Sequence, residues 1–224
     1  VGFGEGLLLL GKKNSDVVAL CADLTESTHM ESFRKGYPER FFEMGVSEQN
    51  MASVASGMAA MGKIPFIGSY AMFSPGRNWE QIRTTIAYND VPVKIVGAHA
   101  GVSVGPDGGT HQALEDVGLM RMMPNMIVVV PCDAVEAKKA TLSIAENNLP
   151  SYLRIFREKS PVITDEESFF EIGKANIVYE SSKQQNKKIG IIANGEMVSR
   201  ALLCVEELER TGIAVSIMNL HTVK

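Results

Sequence analysis

A doubly wound α/β fold with a mostly parallel sheet is the architecture this sequence predicts, and three observations predict it. Continuous runs of β-branched and apolar residues recur along the first part of the chain, without the polar alternation of a sheet that has one wet face. Segments with helical spacing separate those runs. A glycine-rich loop follows one of them. Strands covered on both faces and joined by helices belong to parallel sheets.

The elements follow in order. Gly4 to Lys13 is apolar enough for a helix packed on a sheet, and Asn14-Ser15-Asp16 breaks it. Val17 to Asp23 then reads as a buried strand, followed by further strand-like runs at Arg40 to Gly45, Ile64 to Tyr70, Val91 to His99, Met126 to Cys132 and Tyr152 to Phe156. Between Gly45 and Gly62 the chain predicts a tight turn and a helix opening near Ser47, with faces of Ala, Gly, Ser and Met. Such a helix lets another backbone or a flat ligand come close. Asn78 to Asn89 carries Trp79, Ile82 and Ile86 on one helical face; Gln112 to Met122 stops before Pro124; Asp133 caps a helix to Asn147 that turns Val135, Leu142 and Ala145 inward.

The organisation read from this is a first α/β domain over residues 1–160, a linker over 161–171 and a partial second α/β domain over 172–224. Lys159 to Glu171 is polar and carries Pro161 and Thr164-Asp165-Glu166-Glu167. Beyond it, Ile172 to Tyr179 and Lys188 to Gly195 read as strands joined by the polar turn S-S-K-Q-Q-N-K. A helix follows, with Val198, Leu202, Val205 and Leu208 on one face; Gly212 stops it, and Ile213 to Leu220 is another strand. This unit is barely large enough to stand alone, so it is expected to be incomplete.

Composition narrows the function. The 224 residues are 45% hydrophobic and 21% charged, with a net charge of −4, so a sizeable core is available. There is no basic run or aromatic stripe for nucleic acid, no apolar run approaching the roughly 18 residues of a membrane span, and no basic, cleavable leader in the first residues. A soluble, cytoplasmic chain is expected. Cys21, Cys132 and Cys204 are isolated and lie in or beside apolar runs, which predicts buried reduced thiols.

Glu48 is the first candidate for chemistry. It sits in the first turn of the small-sided helix, with no cation among its near sequence neighbours, as either a helix cap or a proton-handling group in apolar surroundings. The second candidate is the loop G-V-S-V-G-P-D-G-G-T-H at Gly101 to His111. Tight-turn geometry explains its glycines, but not why His99, Asp107 and His111 all fall at or beyond the carboxyl end of one strand, the edge where open α/β sheets bind ligands. The loop has neither Walker nor dinucleotide spacing, and its D-G-G has no partner at ligand-like distance, so no metal site is assigned. Arg154 and Arg157 close the last strand of the first domain; alternation predicts that at most one faces the crevice, with phosphate binding and a salt bridge at the domain junction both open.

Several long motifs in one order resemble the C-terminal half of transketolase, above all the separate C-terminal subunit of split transketolases. They are C-A-D-L-T-E-S-T at Cys21 to Thr28, E-M-G-V-S-E-Q-N-M at Glu43 to Met51, G-V-S-V-G-P-D-G-G-T-H-Q-A-L-E-D at Gly101 to Asp116 and P-N-M-I-V-V-V-P-C-D at Pro124 to Asp133. The resemblance runs nearly end to end. It implies thiamine diphosphate as cofactor and transfer of a two-carbon ketol unit between sugar phosphates. It makes Glu48 the glutamate that hydrogen-bonds N1′ of the aminopyrimidine, sharing a proton so that the imino tautomer can activate the thiazolium; carboxyls in apolar sites hold protons more tightly. Tyr70 and Phe73 match the aromatic lining of the pyrimidine pocket, with Phe73 as the stacking ring. Ser27, His99 and Arg157 match the sugar-phosphate end of the channel. Asp107 and His111 match contacts to substrate hydroxyls near the reacting carbons, His111 joining Glu48 as catalytic.

His99 favours transketolase over deoxyxylulose-phosphate synthases, which usually carry Arg there; those enzymes, 2-oxoacid dehydrogenase β-subunits and a non-catalytic assembly subunit are the alternatives. A phosphate-contacting arginine common in the family would precede Val1, and Arg154 is not part of the pattern. The chain also lacks the G-D-G…N that holds the diphosphate and Mg²⁺. The resemblance therefore implies half an active site, completed by an N-terminal subunit or region, with the helix at Glu48 lying at an oligomer interface.

Overall fold

In a computed structural model described over residues 1–182 and 185–224, the first sheet has six strands, all parallel. In chain order the elements are α1 (Gly2–Lys13), β1 (Val17–Cys21), α2 (Glu31–Gly36), β2 (Phe41–Glu43), α3 (Glu48–Ala60), β3 (Ile64–Tyr70), α4 (Trp79–Gln81), β4 (Lys94–Ala98), α5 (Asp116–Arg121), β5 (Ile127–Val129), α6 (Ala134–Ala145) and β6 (Ser151–Arg154). The strand order is β2-β1-β3-β4-β6-β5. Every residue of β1 and β4 is buried, as continuous apolar runs require when helices cover both faces.

Two cores lie on the two faces. On one, Met51, Ala52 and Ala55 of α3 pack with Ile82, Ile86, Met120 and Ile95. On the other, Phe3 and Leu7 of α1 pack with Phe33, Phe66, Ala140 and Ile144. Each Met, Ile, Leu or Phe side chain among these contributes about 1.5–3 kcal/mol by leaving water. Helices α1 and α6 approach very closely at Gly2, where an added Cβ would stand 1.8 Å from the Ala134 carbonyl oxygen.

Register brings the carboxyl ends into line. Tyr70 pairs with Ala98, placing it next to His99, and Gly97 pairs with Arg154. Gly97 has no room for a side chain, because a Cβ there would meet the Tyr152 hydroxyl at 2.1 Å.

A second sheet contains β7 (Asn176–Glu180), β8 (Lys187–Ala193) and β9 (Ile213–Asn219) in the order β7-β9-β8, with α7 (Met197–Leu203) and α8 (Val205–Arg210). Ala201, Val215 and Ile217 form its small core. The chain after β9 returns to the first sheet. Val130 N donates to His221 O at 2.7 Å, Val128 N donates to Lys224 O at 2.9 Å, and Thr222 forms an antiparallel bridge with Val129. Asn219 Nδ2 donates to the buried Glu136 Oε1 at 2.7 Å, and His221 stacks on Phe170 at 4.3 Å.

Several expectations are corrected. The helix expected at Asn78 to Asn89 is a short α4 followed by a π-helical segment, Ile82–Ala87; Ile82 and Ile86 are buried. The helix expected from Gln112 begins only at Asp116, because the preceding residues turn inward, Gly101 N donating to Ala113 O. Helix α6 is capped by Asp133, which accepts from Glu136 N; its buried face runs through Ala137, Ala140, Thr141, Ile144 and Ala145, with Leu142 partly buried against the same core, and of the residues expected inward only Val135 is absent from it. The single helix expected after Gly195 is divided at Cys204. Cys21 and Cys132 are buried, whereas Cys204 is exposed. Part of the turn S-S-K-Q-Q-N-K lies outside the described residues. Among the described residues, no helix is long and apolar enough to cross a membrane.

Candidate active site

The candidate residues converge at the carboxyl edge of β1, β3, β4 and β6. Glu48, the first residue of α3, is 1% exposed. Ser69 Oγ donates to its Oε1 at 3.2 Å, and Asn78 Nδ2 donates to its backbone oxygen at 3.1 Å. Arg77 Nη1 donates to Oε2 at 2.7 Å. This last contact corrects the expected apolar setting: the cation arrives from a loop 29 residues away, beyond the reach of local sequence reading. Ser47 leaves the helix uncapped, its hydroxyl turning back to Met44 O at 2.6 Å.

Beside Glu48 stands an aromatic wall. The guanidinium of Arg77 lies over the Phe73 ring at 4.6 Å. Phe73 and Tyr70 are nearly parallel at 6.2 Å, and His111 meets both edge-on, at 5.2 and 6.1 Å. Tyr70 stacks on His99 at 4.1 Å. Phe73 is half-buried rather than core, so part of its surface faces outward. Thr110 Oγ1 lies 2.8 Å from His111 Nδ1.

Beyond His99 opens a cavity of about 350 Å³ lined by Ser27, His29, His99, Arg154 and Arg157 among others. Arg157 donates to Val104 O and pairs with Asp107 at 3.6 Å, binding the glycine-rich loop to the end of β6. Gly101 and Gly105 hold φ of +80° and +72° in that loop, a conformation L side chains rarely adopt. Burial pushes the His99 imidazole down, and the nearby Arg157 charge adds to the shift, so neutral imidazole is favoured. His99 Nδ1 is buried without a hydrogen-bond partner.

Both arginines line the cavity, against the expectation of at most one. Alternation governs Arg154 but not Arg157, which lies past the strand. Arg154 is also held from behind: its Nε donates to Asp116 Oδ2 at 2.8 Å, and the same oxygen accepts from Tyr152 OH at 2.7 Å. Its salt bridge thus ties β6 to the start of α5 and does not join the two sheets. Sequence reasoning missed Arg77 and His29. His29 carried a faint signal in its place beside C-A-D-L-T-E-S-T; it adopts a left-handed φ of 59°.

Residues 2–162 match the family model described as transketolase, pyrimidine binding domain. The chain belongs to the transketolase family. A protein from Methanocaldococcus jannaschii named as a transketolase C-terminal section is 45% identical over the whole chain, which spans 70% of that relative. A 6-deoxy-6-sulfo-D-fructose transketolase subunit from a Clostridium species is 38% identical over 97% of the chain and 66% of its own length. A solved structure titled a split gene transketolase, inactive beta4 tetramer, is 38% identical, with a TM-score of 0.86 over 99% of this chain and 70% of that one. Transketolase from Campylobacter jejuni superposes at 0.89 with 27% identity, the chain spanning 35% of it. The chain thus corresponds to a C-terminal section of transketolase, and membership implies dependence on thiamine diphosphate.

Proposed function

We propose that this chain is the pyrimidine-binding half of a transketolase and, with a diphosphate-binding N-terminal subunit, transfers a two-carbon ketol group between sugar phosphates. The observation that carries the reading is Glu48: a carboxylate 1% exposed, at the carboxyl edge of the sheet, beside the Phe73–Tyr70–His99 aromatic wall. These residues fit thiamine diphosphate. Glu48 would meet the aminopyrimidine nitrogen N1′, and Phe73 would offer a ring face. When bound, the cofactor supplies an electron sink for carbon–carbon bond cleavage.

The chain's own residues divide the remaining work. Glu48 holds and returns a proton at N1′, while Ser69 fixes its other oxygen. His111 and Asp107 orient substrate hydroxyls, and neutral His99 with Ser27 and Arg157 receives the anionic end of the sugar in the cavity. Tyr70 ties the two ends together through its stack on His99. The diphosphate and Mg²⁺ ligands are assigned to the N-terminal partner. The exposed small face of α3, with Ser53, Gly57 and Ala60, supports a subunit interface there. The domain limits we adopt are 1–160 and 172–224.

Reconstitution with the partner subunit tests the reading. Turnover of xylulose 5-phosphate with ribose 5-phosphate is expected, and turnover of pyruvate alone would refute it. A 6-deoxy-6-sulfo sugar belongs in the panel, because a sulfonate offers the cavity the same kind of anion as a phosphate.

A further inference from the structure

Arg77 makes, with one flat cation, the two contacts that the proposed reading gives to the cofactor's aminopyrimidine: a hydrogen bond to Glu48 at 2.7 Å and a face contact with Phe73 at 4.6 Å. A carboxylate and a ring face, contacted together by one planar group, define a single flat volume. A pyrimidine ring meeting the same pair would need that volume. We propose that Arg77 is an exchangeable stand-in that occupies the pyrimidine position, neutralises Glu48, and swings out when the cofactor enters. The inference rests on the cofactor reading above.

The two partners differ in freedom, and that difference makes exchange feasible. The Glu48 side chain is 1% exposed and anchored by Ser69, whereas the Arg77 side chain is 43% exposed. Glu48 therefore stays while Arg77 can leave for water on its flexible stem. A buried carboxylate without a partner is costly, so the pair protects the site until a ligand replaces the cation. The replacement lowers apparent cofactor affinity, because binding competes with an internal ligand present at very high effective concentration.

The test uses the reconstituted complex with its partner subunit and reads thiamine diphosphate binding by calorimetry, together with thermal melting. In Arg77→Met, Kd should fall about tenfold, since nothing must be displaced. The cofactor-free complex should melt lower and gain more from added cofactor than wild type. Unchanged or weaker binding in the variant would overturn the proposal, because Arg77 would then belong to the bound site or to neither. Should Arg77→Met fail to assemble, the wild-type complex still decides: a crystal structure with cofactor should show the guanidinium off Glu48, and one retaining the hydrogen bond would overturn it. Failure of the wild-type complex to bind thiamine diphosphate would instead sink the cofactor reading.

Discussion

Tyr70 lies flat against His99, with ring centroids 4.1 Å apart and planes 19° from parallel. The two residues end adjacent strands, and their stack is the physical link between the Glu48 end of the site and the cavity. Tyr70→Leu should therefore raise the sugar-phosphate KM about tenfold and lower kcat as well, because His99 loses the surface that orients it. Tyr70→Phe keeps the ring and should stay near wild type. Steady-state kinetics on the reconstituted complex separate these outcomes.

On the proposed reading, Glu48→Gln keeps the size of the side chain but removes the proton that Glu48 would exchange with the cofactor at N1′. Activity should fall by about three orders of magnitude or more, with thermal stability altered little. Near-normal turnover in a folded complex would favour a non-catalytic role for the chain.

Asp116 holds two donors with one buried oxygen. Asp116→Ala leaves the Tyr152 hydroxyl and the Arg154 guanidinium unpaired behind the site, which should cost about 3–5 kcal/mol in urea unfolding. Tyr152→Phe should cost only about 1 kcal/mol, since Arg154 keeps its partner.

Lys94 is wholly buried, and its ammonium donates to Asn147 O, Asn147 Oδ1 and Leu149 O at 2.7 to 3.2 Å. Burial nevertheless pushes it down to about 7 from 10.5. Between those values the unfolded chain binds a proton that the native chain does not. The lysine's contribution to stability is thus complete above 10.5 and is lost as pH falls to about 7. Lys94→Met should flatten the rise in stability across that window by at least about 1 kcal/mol, read by urea titrations at successive pH.

His29, His99 and His221 are all pushed down, in each case chiefly by burial. Each favours its neutral form in the fold. Their contribution to stability is therefore full above the ordinary 6.5 and is lost as pH falls through the lowered values. Thermal melts from pH 7.5 downward should show a decline beginning near 6.5, and a flat profile would contradict it.

The fold was legible in the sequence because apolar runs such as Val17 to Cys21 are continuous and separated by segments of helical spacing. What escaped were features set by distant partners. The start of α5 moved because Gly101 holds Ala113 by a backbone hydrogen bond. Arg77 reaches Glu48 from another loop, a contact that local charge inspection around residue 48 cannot find. The motifs named candidate residues that the fold brings to one edge of the sheet, but not that Arg154 and Arg157 would line one cavity, which depends on where β6 stops.

The chain after β9 lies along β5, the outer strand of the larger sheet, with His221 and Lys224 accepting its amides. An outer strand left bare is a template on which other chains can pair. Residues 220–224 therefore guard that edge against pairing with another chain, as well as tying the two sheets together. Cleavage just after Asn219 would remove that guard at a stroke, and the first sign would be turbidity rather than lost catalysis.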